Sequence, residues 1–246
     1  MAKNFLTLFL LPLLAVSCLS EDEIKQPFRS FVPEPAADGW TIAAPEAEGM
    51  DAEALRAVYE DFHADREAWQ VRSLLVVRNG KLVAESYTKD PADRDRLHPV
   101  WSCTKQVLAL LVQQAVEQGV LDEDLNRPIA RYLPELLQAY PDKADITLEN
   151  LLTMTSGIAF SNSGFNGGAN RLLKQIPDRS TEFVLGLPVA GVPGEQFNYS
   201  AGVPQLVSAI LQARLGRPVD EWADEVMIEP LGRERWEGLR YRDGMP

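Results

Sequence analysis

Ser102 and Lys105 form a Ser-x-x-Lys motif just before residues 106–118, whose apolar residues favour a helix. Residues three apart lie on one face of a helix, so the serine hydroxyl and the lysine amine can touch. The first turn of a helix also offers free backbone N–H groups and the positive end of the dipole, which stabilise a developing oxyanion. This spacing predicts a serine acyl-transfer site. The alternative from the motif alone is a helix-capping serine beside a solvated lysine.

A second Ser-x-x-Lys motif, from Ser86 to Lys89, shows that the spacing by itself is weak evidence. Asp90 and Pro91 follow at once, and a proline at this point blocks the continuation of a helix. The serine and the lysine would then lie at a strand end and in a turn, away from any helix N-terminus. We therefore expect the second motif not to be catalytic.

Several further sequence boxes follow Ser102 in a fixed order. They are Leu133-Pro134-Glu135-Leu136, residues 146–157, Pro193-Gly194, residues 197–202 and Glu229-Pro230-Leu231-Gly232. With these boxes, the chain from about residue 51 to residue 232 resembles the serine beta-lactamase-like hydrolases. That group includes class C beta-lactamases, penicillin-binding DD-peptidases, carboxylesterases and 6-aminohexanoate-oligomer hydrolases. The resemblance implies the α+β penicillin-binding/beta-lactamase fold, an antiparallel sheet flanked by helices with an inserted helical subdomain.

The resemblance also implies roles for three residues. Ser102 would be the acylated nucleophile, Lys105 its partner base, and Tyr199 a second acid/base. Lys105 has to be neutral to accept a proton near pH 7. Tyr199 can relay a proton because a phenol both donates and accepts, although a packed aromatic residue before a helix is the simpler alternative. The implied reaction is acyl transfer through a Ser102 ester followed by hydrolysis, with no metal or other cofactor.

Two positions depart from the family pattern. Ala201 stands where the family usually has Asn two residues after the tyrosine, and Met154 stands where His is frequent. Alanine cannot hydrogen-bond a substrate amide. We therefore expect a small-molecule ester as substrate first, and a beta-lactam or peptide amide second. We interpret Met154 as structural variation.

The last box of the family, a Lys- or His-x-Gly strand, is not found in the 47 residues after Tyr199. That box supplies one oxyanion-hole N–H in the family. The sequence is therefore expected to be the N-terminal part of a longer hydrolase, with its C-terminal part missing. We expect the 246-residue chain alone to be inactive and poorly folded.

Two other function classes can be compared with this hypothesis. Residues 198–202 nearly match the Gly-x-Ser-x-Gly elbow of α/β-hydrolases, but that fold needs a histidine after the nucleophile and none follows His98. This class is excluded. A degenerate, non-catalytic family member acting as a binding protein stays open: Ala201 and the missing last box favour it, whereas Ser102, Lys105 and Tyr199 together oppose it.

The N-terminus has the pattern of an export signal over residues 1–18. Lys3 is followed by an apolar stretch too short for a comfortable transmembrane helix, and small residues precede Cys18 as in a bacterial lipobox. We expect export to the bacterial periplasm, or membrane anchoring through a lipidated Cys18; the alternative is an ordinary signal peptide. Residues 19–50, rich in Pro, Ala and acids, are predicted to be a tether, and residues 51–246 the hydrolase domain.

The composition of the chain limits the kinds of molecule that it is expected to bind. The net charge of −12 argues against nucleic acid or an anionic membrane surface. With two cysteines and two histidines, neither a structural disulfide nor a Cys/His metal site is expected.

Apolar residues flanking Asn79-Gly80 predict a β-hairpin over residues 71–87, preceded by a helix that Asp51 could cap. The chain after the hairpin is predicted to be mainly helical, including a helix over residues 203–215.

Overall fold

The computed structural model describes residues 25–36, 39–65, 67, 70–161, 168–175 and 179–232. The chain divides into two compact units, with the boundary between Arg96 and Leu97. The predicted export signal with Cys18, the start of the predicted tether and the last residues of the chain lie outside the described residues. Within the described ranges, no helix has the length and apolar character needed to cross a membrane.

The first unit contains a three-stranded sheet and one long helix. Its elements are β1 (Thr41–Ile42), α1 (Ala52–Ala64), β2 (Ser73–Arg78) and β3 (Lys81–Tyr87). β2 and β3 pair in antiparallel fashion, and β1 pairs parallel to β3, which gives the order β1-β3-β2. Asn79 and Gly80 both have positive φ, as a two-residue hairpin turn requires. The predicted hairpin is confirmed.

The helix α1 begins at the predicted cap. The Asp51 side chain accepts hydrogen bonds from the backbone N–H groups of Glu53 and Ala54. Leu55 and Tyr59, one turn apart on the helix, are buried in a small core against Ala84 of β3. The Tyr59 hydroxyl also donates to the Leu74 carbonyl at 3.0 Å, so α1 is tied to the sheet by both packing and a hydrogen bond.

The described parts of the segment predicted to be a tether, residues 25–36 and 39–50, make contacts with the first unit. Phe31 is buried in the core of the first unit, and its carbonyl accepts from the Glu85 N–H at 2.8 Å. The strand β1 and a 3₁₀ helix over Pro45–Glu48 follow. The segment lacks hydrophobic periodicity because it is held by one buried aromatic ring and by backbone pairing with β3.

The second unit is helical. Its helices are α2 (Thr104–Glu117), α3 (Pro134–Leu137), α4 (Leu148–Leu152), α5 (Gly168–Gln175), α6 (Ser180–Gly186), α7 (Val203–Leu215) and α8 (Val219–Ala223). A π-helical turn over Asp224–Ile228 follows α8. The helix α7 spans the predicted residues, and Leu206, Ile210 and Leu211 on it are fully buried. The second unit therefore has a much larger core than the first, with α7 running through it.

Candidate active site

Ser102 lies in a 3₁₀ turn, Trp101–Cys103, directly before α2. The sequence predicted that a helix opens at the serine, whereas the α-helix begins two residues later. Trp101, the first residue of the turn, has a φ of 46°, which falls in the left-handed region. A bulky residue in this region stores strain of about 1–3 kcal/mol, which the surrounding structure has to support.

The three residues predicted to form the site converge on the Ser102 hydroxyl. Lys105 Nζ donates to Ser102 Oγ at 3.1 Å, and the Tyr199 hydroxyl donates to the same oxygen at 2.5 Å. Lys105 Nζ also lies 5.0 Å from the centroid of the Tyr199 ring. Tyr199 is 42% exposed, and Ser102 is exposed as well, so a ligand can reach the cluster. The structure thus brings together residues that are 97 positions apart in sequence.

The electrostatic surroundings favour ionisation of Tyr199. Its hydrogen bond with Ser102 is the main cause that lowers the pKa of the Tyr199 phenol, and a hydrogen bond with Lys105 and the positive charge of Lys105 act in the same direction. Partial burial opposes this effect, since it disfavours the charged form. The pKa of Tyr199 therefore lies below its ordinary value, and the phenol is a better proton donor than a tyrosine in water.

Asn198 holds the backbone beside Tyr199. Its backbone N–H donates to the Met154 carbonyl at 2.8 Å, and its side-chain Nδ2 donates to the carbonyls of Ile158 at 3.1 Å and Phe160 at 3.3 Å. Sequence reasoning considered Asn198 only as part of a possible elbow and missed this function. An amide side chain next to the tyrosine in an irregular segment is the signal that could have revealed it, because such a segment has to satisfy its backbone groups without a ladder.

Met154 supplies one of these carbonyls from an unusual backbone conformation. Its φ is 58°, while its side chain is partly buried against the core of the second unit. It follows α4, which begins with a capping box in which Thr147 and Asn150 exchange side-chain-to-backbone hydrogen bonds. In this structure Met154 is therefore a packing residue whose carbonyl anchors the tyrosine segment, in agreement with its interpretation as structural variation.

The residues after Tyr199 start α7. The Ser200 hydroxyl is buried and accepts from the N–H groups of Gly202 and Val203 at 3.1 and 3.0 Å, so it satisfies two backbone groups where α7 begins. A Cβ atom at Gly202 would lie 2.4 Å from the Phe160 ring, which explains the glycine. Ala201 is partly buried and packs against the core. The burial of Ser200 is a further argument against the α/β-hydrolase elbow, whose serine has to be exposed.

Ser86, from the second Ser-x-x-Lys motif, has a different environment. It lies on β3, is 8% exposed, and its hydroxyl is 2.8 Å from His63 Nε2 on α1. His63 Nδ1 is 2.8 Å from the Gln26 carbonyl, which can only accept, so in the neutral ring Nδ1 carries the proton and Nε2 accepts from Ser86. Ser86 thus connects the helix and the sheet of the first unit.

A metal ion has no evident place in the described part of the chain, where no three His, Cys, Asp or Glu side chains cluster. Cys103, next to the candidate nucleophile, is exposed and reduced.

An exposed serine before a helix, bonded by a lysine three residues on and by a distant tyrosine, together with helices and a small sheet, defines an α+β chain of the penicillin-binding/beta-lactamase type. Residues 58–244 match the Beta-lactamase family model. The chain belongs to the Beta-lactamase family, as the sequence boxes indicated.

Individual relatives are consistent with this membership. Esterase EstB from Burkholderia gladioli is 26% identical over 235 residues, which cover 82% of this chain and 58% of that protein. A penicillin-binding protein homologue from Caulobacter crescentus has a TM-score of 0.56 at 23% identity, covering 82% of this chain and 53% of the other. An octameric penicillin-binding protein homologue from Pyrococcus abyssi has a TM-score of 0.56 at 22% identity, covering 76% and 43%.

The two structural neighbours are too distant in sequence to indicate more than the fold, which they confirm as α+β and of the penicillin-binding/beta-lactamase type. The chain spans 58% of the length of EstB and between 43% and 53% of these two structures.

Proposed function

We propose that the protein is a serine hydrolase that forms an acyl-enzyme at Ser102. The observation that carries this proposal is the convergence of Lys105 Nζ and the Tyr199 hydroxyl on Ser102 Oγ, at 3.1 and 2.5 Å. A serine becomes a useful nucleophile only with a base within hydrogen-bonding distance, and both partners here are within that distance.

The proposed reaction has two steps. Ser102 Oγ attacks the substrate carbonyl while its proton passes to Lys105 Nζ, which acts as a neutral amine. Tyr199 gives a proton to the leaving alcohol as the bond between the carbonyl carbon and the leaving oxygen breaks. The extra proton on Lys105 then passes to the Tyr199 phenolate, which restores both groups. A water molecule attacks the Ser102 ester while it gives a proton to Lys105 Nζ. That proton passes to Ser102 Oγ as the ester bond breaks, which releases the acid and the free serine.

An ester is the proposed substrate, with an amide or lactam as the second choice. Ala201 offers no side-chain hydrogen bond to a substrate amide. In addition, the relative of this protein from Burkholderia gladioli, EstB, is named an esterase. Esters also have a better leaving group than amides, so they depend less on the accurate protonation of that group.

We further propose that the protein is exported and that Cys18 carries a lipid anchor. Metabolic labelling with radioactive palmitate would test this proposal against a Cys18→Ala variant.

A non-catalytic binding protein is the second candidate, and Ala201 favours it because the substrate-facing asparagine of the family is replaced. The two candidates are separated by a fluorophosphonate probe followed by peptide mapping. We expect label on the peptide containing Ser102 of the full natural protein, and none after heat unfolding. A protein that binds penicillin reversibly but takes no covalent label would support the binding protein and overturn the hydrolase.

A further inference from the structure

Two aromatic rings beside the candidate nucleophile are exposed to solvent. Phe197 is 70% exposed and Trp101 is 64% exposed, more than any other aromatic side chain of the described residues. Large apolar side chains are usually removed from water in a folded protein, and a contiguous apolar patch on its surface marks a place where something binds. Large parts of both residues are therefore accessible to a ligand.

Both rings belong to the segments that form the site. Trp101 precedes Ser102 in the same 3₁₀ turn, so their Cα atoms are about 3.8 Å apart. Phe197 is two residues from Tyr199, whose hydroxyl is bonded to Ser102. Asn198, between them, is held by three hydrogen bonds to neighbouring carbonyls, which fixes the backbone that carries Phe197.

The backbone at Trp101 adds a second observation. Three non-glycine residues of the described chain have positive φ. Asn79 is in a hairpin turn that requires it, and Met154 recovers part of the strain by packing its side chain against the core. Trp101 holds the same unfavourable conformation while the residue is 64% exposed. Strained residues of this kind are concentrated at functional sites.

We propose that Trp101 and Phe197 form an apolar platform that binds the acyl group of the substrate, which makes the substrate class esters of hydrophobic carboxylic acids. The inference rests on the proposed function, because it assumes that Ser102 is acylated. Trp101 is the chain neighbour of the serine that would carry the acyl group, in the same 3₁₀ turn. The net charge of −12 also disfavours acyl groups that carry a carboxylate.

The platform predicts a dependence of rate on acyl chain length. Each methylene that is fully removed from water contributes a factor of roughly four in affinity. With the p-nitrophenyl esters of acetate, butyrate and hexanoate, we expect kcat/KM of the full natural protein to rise by about tenfold or more along the series. Trp101→Ala and Phe197→Ala should each reduce this rise at least about threefold.

The matched control is Leu110→Ala. Leu110 is an exposed apolar residue on α2, the helix that follows Ser102, and it has no part in the site. The control should keep the chain-length dependence of the unmodified protein. Phe197→Ala does not alter the turn of Ser102, so it keeps the test informative if Trp101→Ala disturbs that turn.

The outcomes separate this inference from the proposed function. Failure of Ser102 to take the fluorophosphonate label contradicts the function itself. Normal labelling together with a preference for acetate, or with a chain-length dependence that neither aromatic substitution changes, overturns the platform alone. An equal loss in Leu110→Ala would also overturn it, since the effect would then come from general surface apolarity.

Discussion

The two Ser-x-x-Lys motifs of this chain have the same spacing and opposite surroundings. In the first unit Ser86 lies on a strand, is buried, and donates to His63. In the second unit Ser102 lies on a turn before a helix, is exposed, and receives hydrogen bonds from Lys105 and Tyr199. The comparison teaches that a spacing of three has chemical meaning only where the backbone turns. Three residues of a strand extend about 10 Å, whereas on a helix they are neighbours.

The cores of the two units also differ, since the second unit has a much larger core than the first. The core of the first unit consists of a few residues between α1 and the sheet, and Ser86 is part of the boundary of that core. In the second unit α2 buries Leu108 and Leu111 on its inner side, within a core that extends through α7. A rigid helix that is anchored on one side can leave the turn at its start open to solvent without losing precision.

The comparison is most directly tested by removing each serine. Ser102→Ala should lower ester turnover by at least about 1000-fold, because no other group can take the place of a covalent nucleophile. Ser86→Ala should leave the rate within about threefold. Hydrolysis of a p-nitrophenyl ester gives the rate, and covalent labelling gives the site. Label mapped to Ser86 or Ser200 would reverse the assignment of the two motifs.

The second test replaces each lysine by arginine. Lys105→Arg keeps the positive charge but cannot act as a base, since a guanidinium stays protonated at any working pH. We expect acylation to slow by on the order of 100-fold or more. Lys89→Arg is the matched control and should have no effect. A nearly normal rate of acylation in Lys105→Arg would leave Lys105 with an electrostatic role only.

The third test compares two tyrosines by their pH dependence. Hydrogen bonds with Ser102 and Lys105 stabilise the phenolate of Tyr199 and lower its pKa, whereas burial and a hydrogen bond to Glu85 raise the pKa of Tyr87. As a proton donor Tyr199 works below its pKa, so turnover should fall with rising pH at a value under the ordinary 10.

Tyr199→Phe should lack this alkaline limb and be roughly 10-fold to 100-fold slower, somewhat less than a general acid often contributes, because p-nitrophenolate is a good leaving group. Tyr87→Phe should keep the limb. Stopped-flow acylation between pH 6 and pH 11 measures both. An alkaline limb that persists in Tyr199→Phe would assign it to another group.

The sequence carried stronger local signals for the candidate site than for the N-terminal part of the fold. Ser102, Lys105 and Tyr199 were identified because the order of short boxes is specific, and the hairpin and α7 because Asn79-Gly80 and an apolar helical pattern are strong local signals. The contacts of Phe31 and β1 could not be predicted because both depend on pairing with β3, and pairing between distant segments leaves no periodicity. The left-handed backbone of Trp101 and Met154 was also invisible, since neither residue type favours it.

The fourth test measures stability instead of activity. Here we expect Ser86→Ala to have the larger effect and Ser102→Ala the smaller one, the reverse of their effects on ester turnover. Ser86→Ala leaves the buried His63 Nε2 without its donor, which should lower the free energy of unfolding by about 1–3 kcal/mol. Ser102→Ala changes an exposed residue and should stay within about 0.5 kcal/mol. Urea unfolding followed by fluorescence measures both. Equal losses in the two variants would mean that Ser86 is not part of the framework of the first unit.

The smallest expected effect concerns the position after Ser200. Ala201→Asn restores the side chain that the family usually has, and it adds a donor and an acceptor for a substrate amide. The ratio of kcat/KM for a lactam to that for an ester should rise by about 5-fold to 30-fold, which corresponds to the 1–2 kcal/mol of one hydrogen bond. Because Ala201 is partly buried against the core, the larger side chain has to turn toward the site, so the gain should be near the lower end. Ala130→Asn, at another partly buried alanine of the same core, is the control for the effect of added bulk and should leave the ratio unchanged. If both variants lose stability alike and neither changes the ratio, Ala201 does not face the substrate, and the preference for esters must come from another feature of the site.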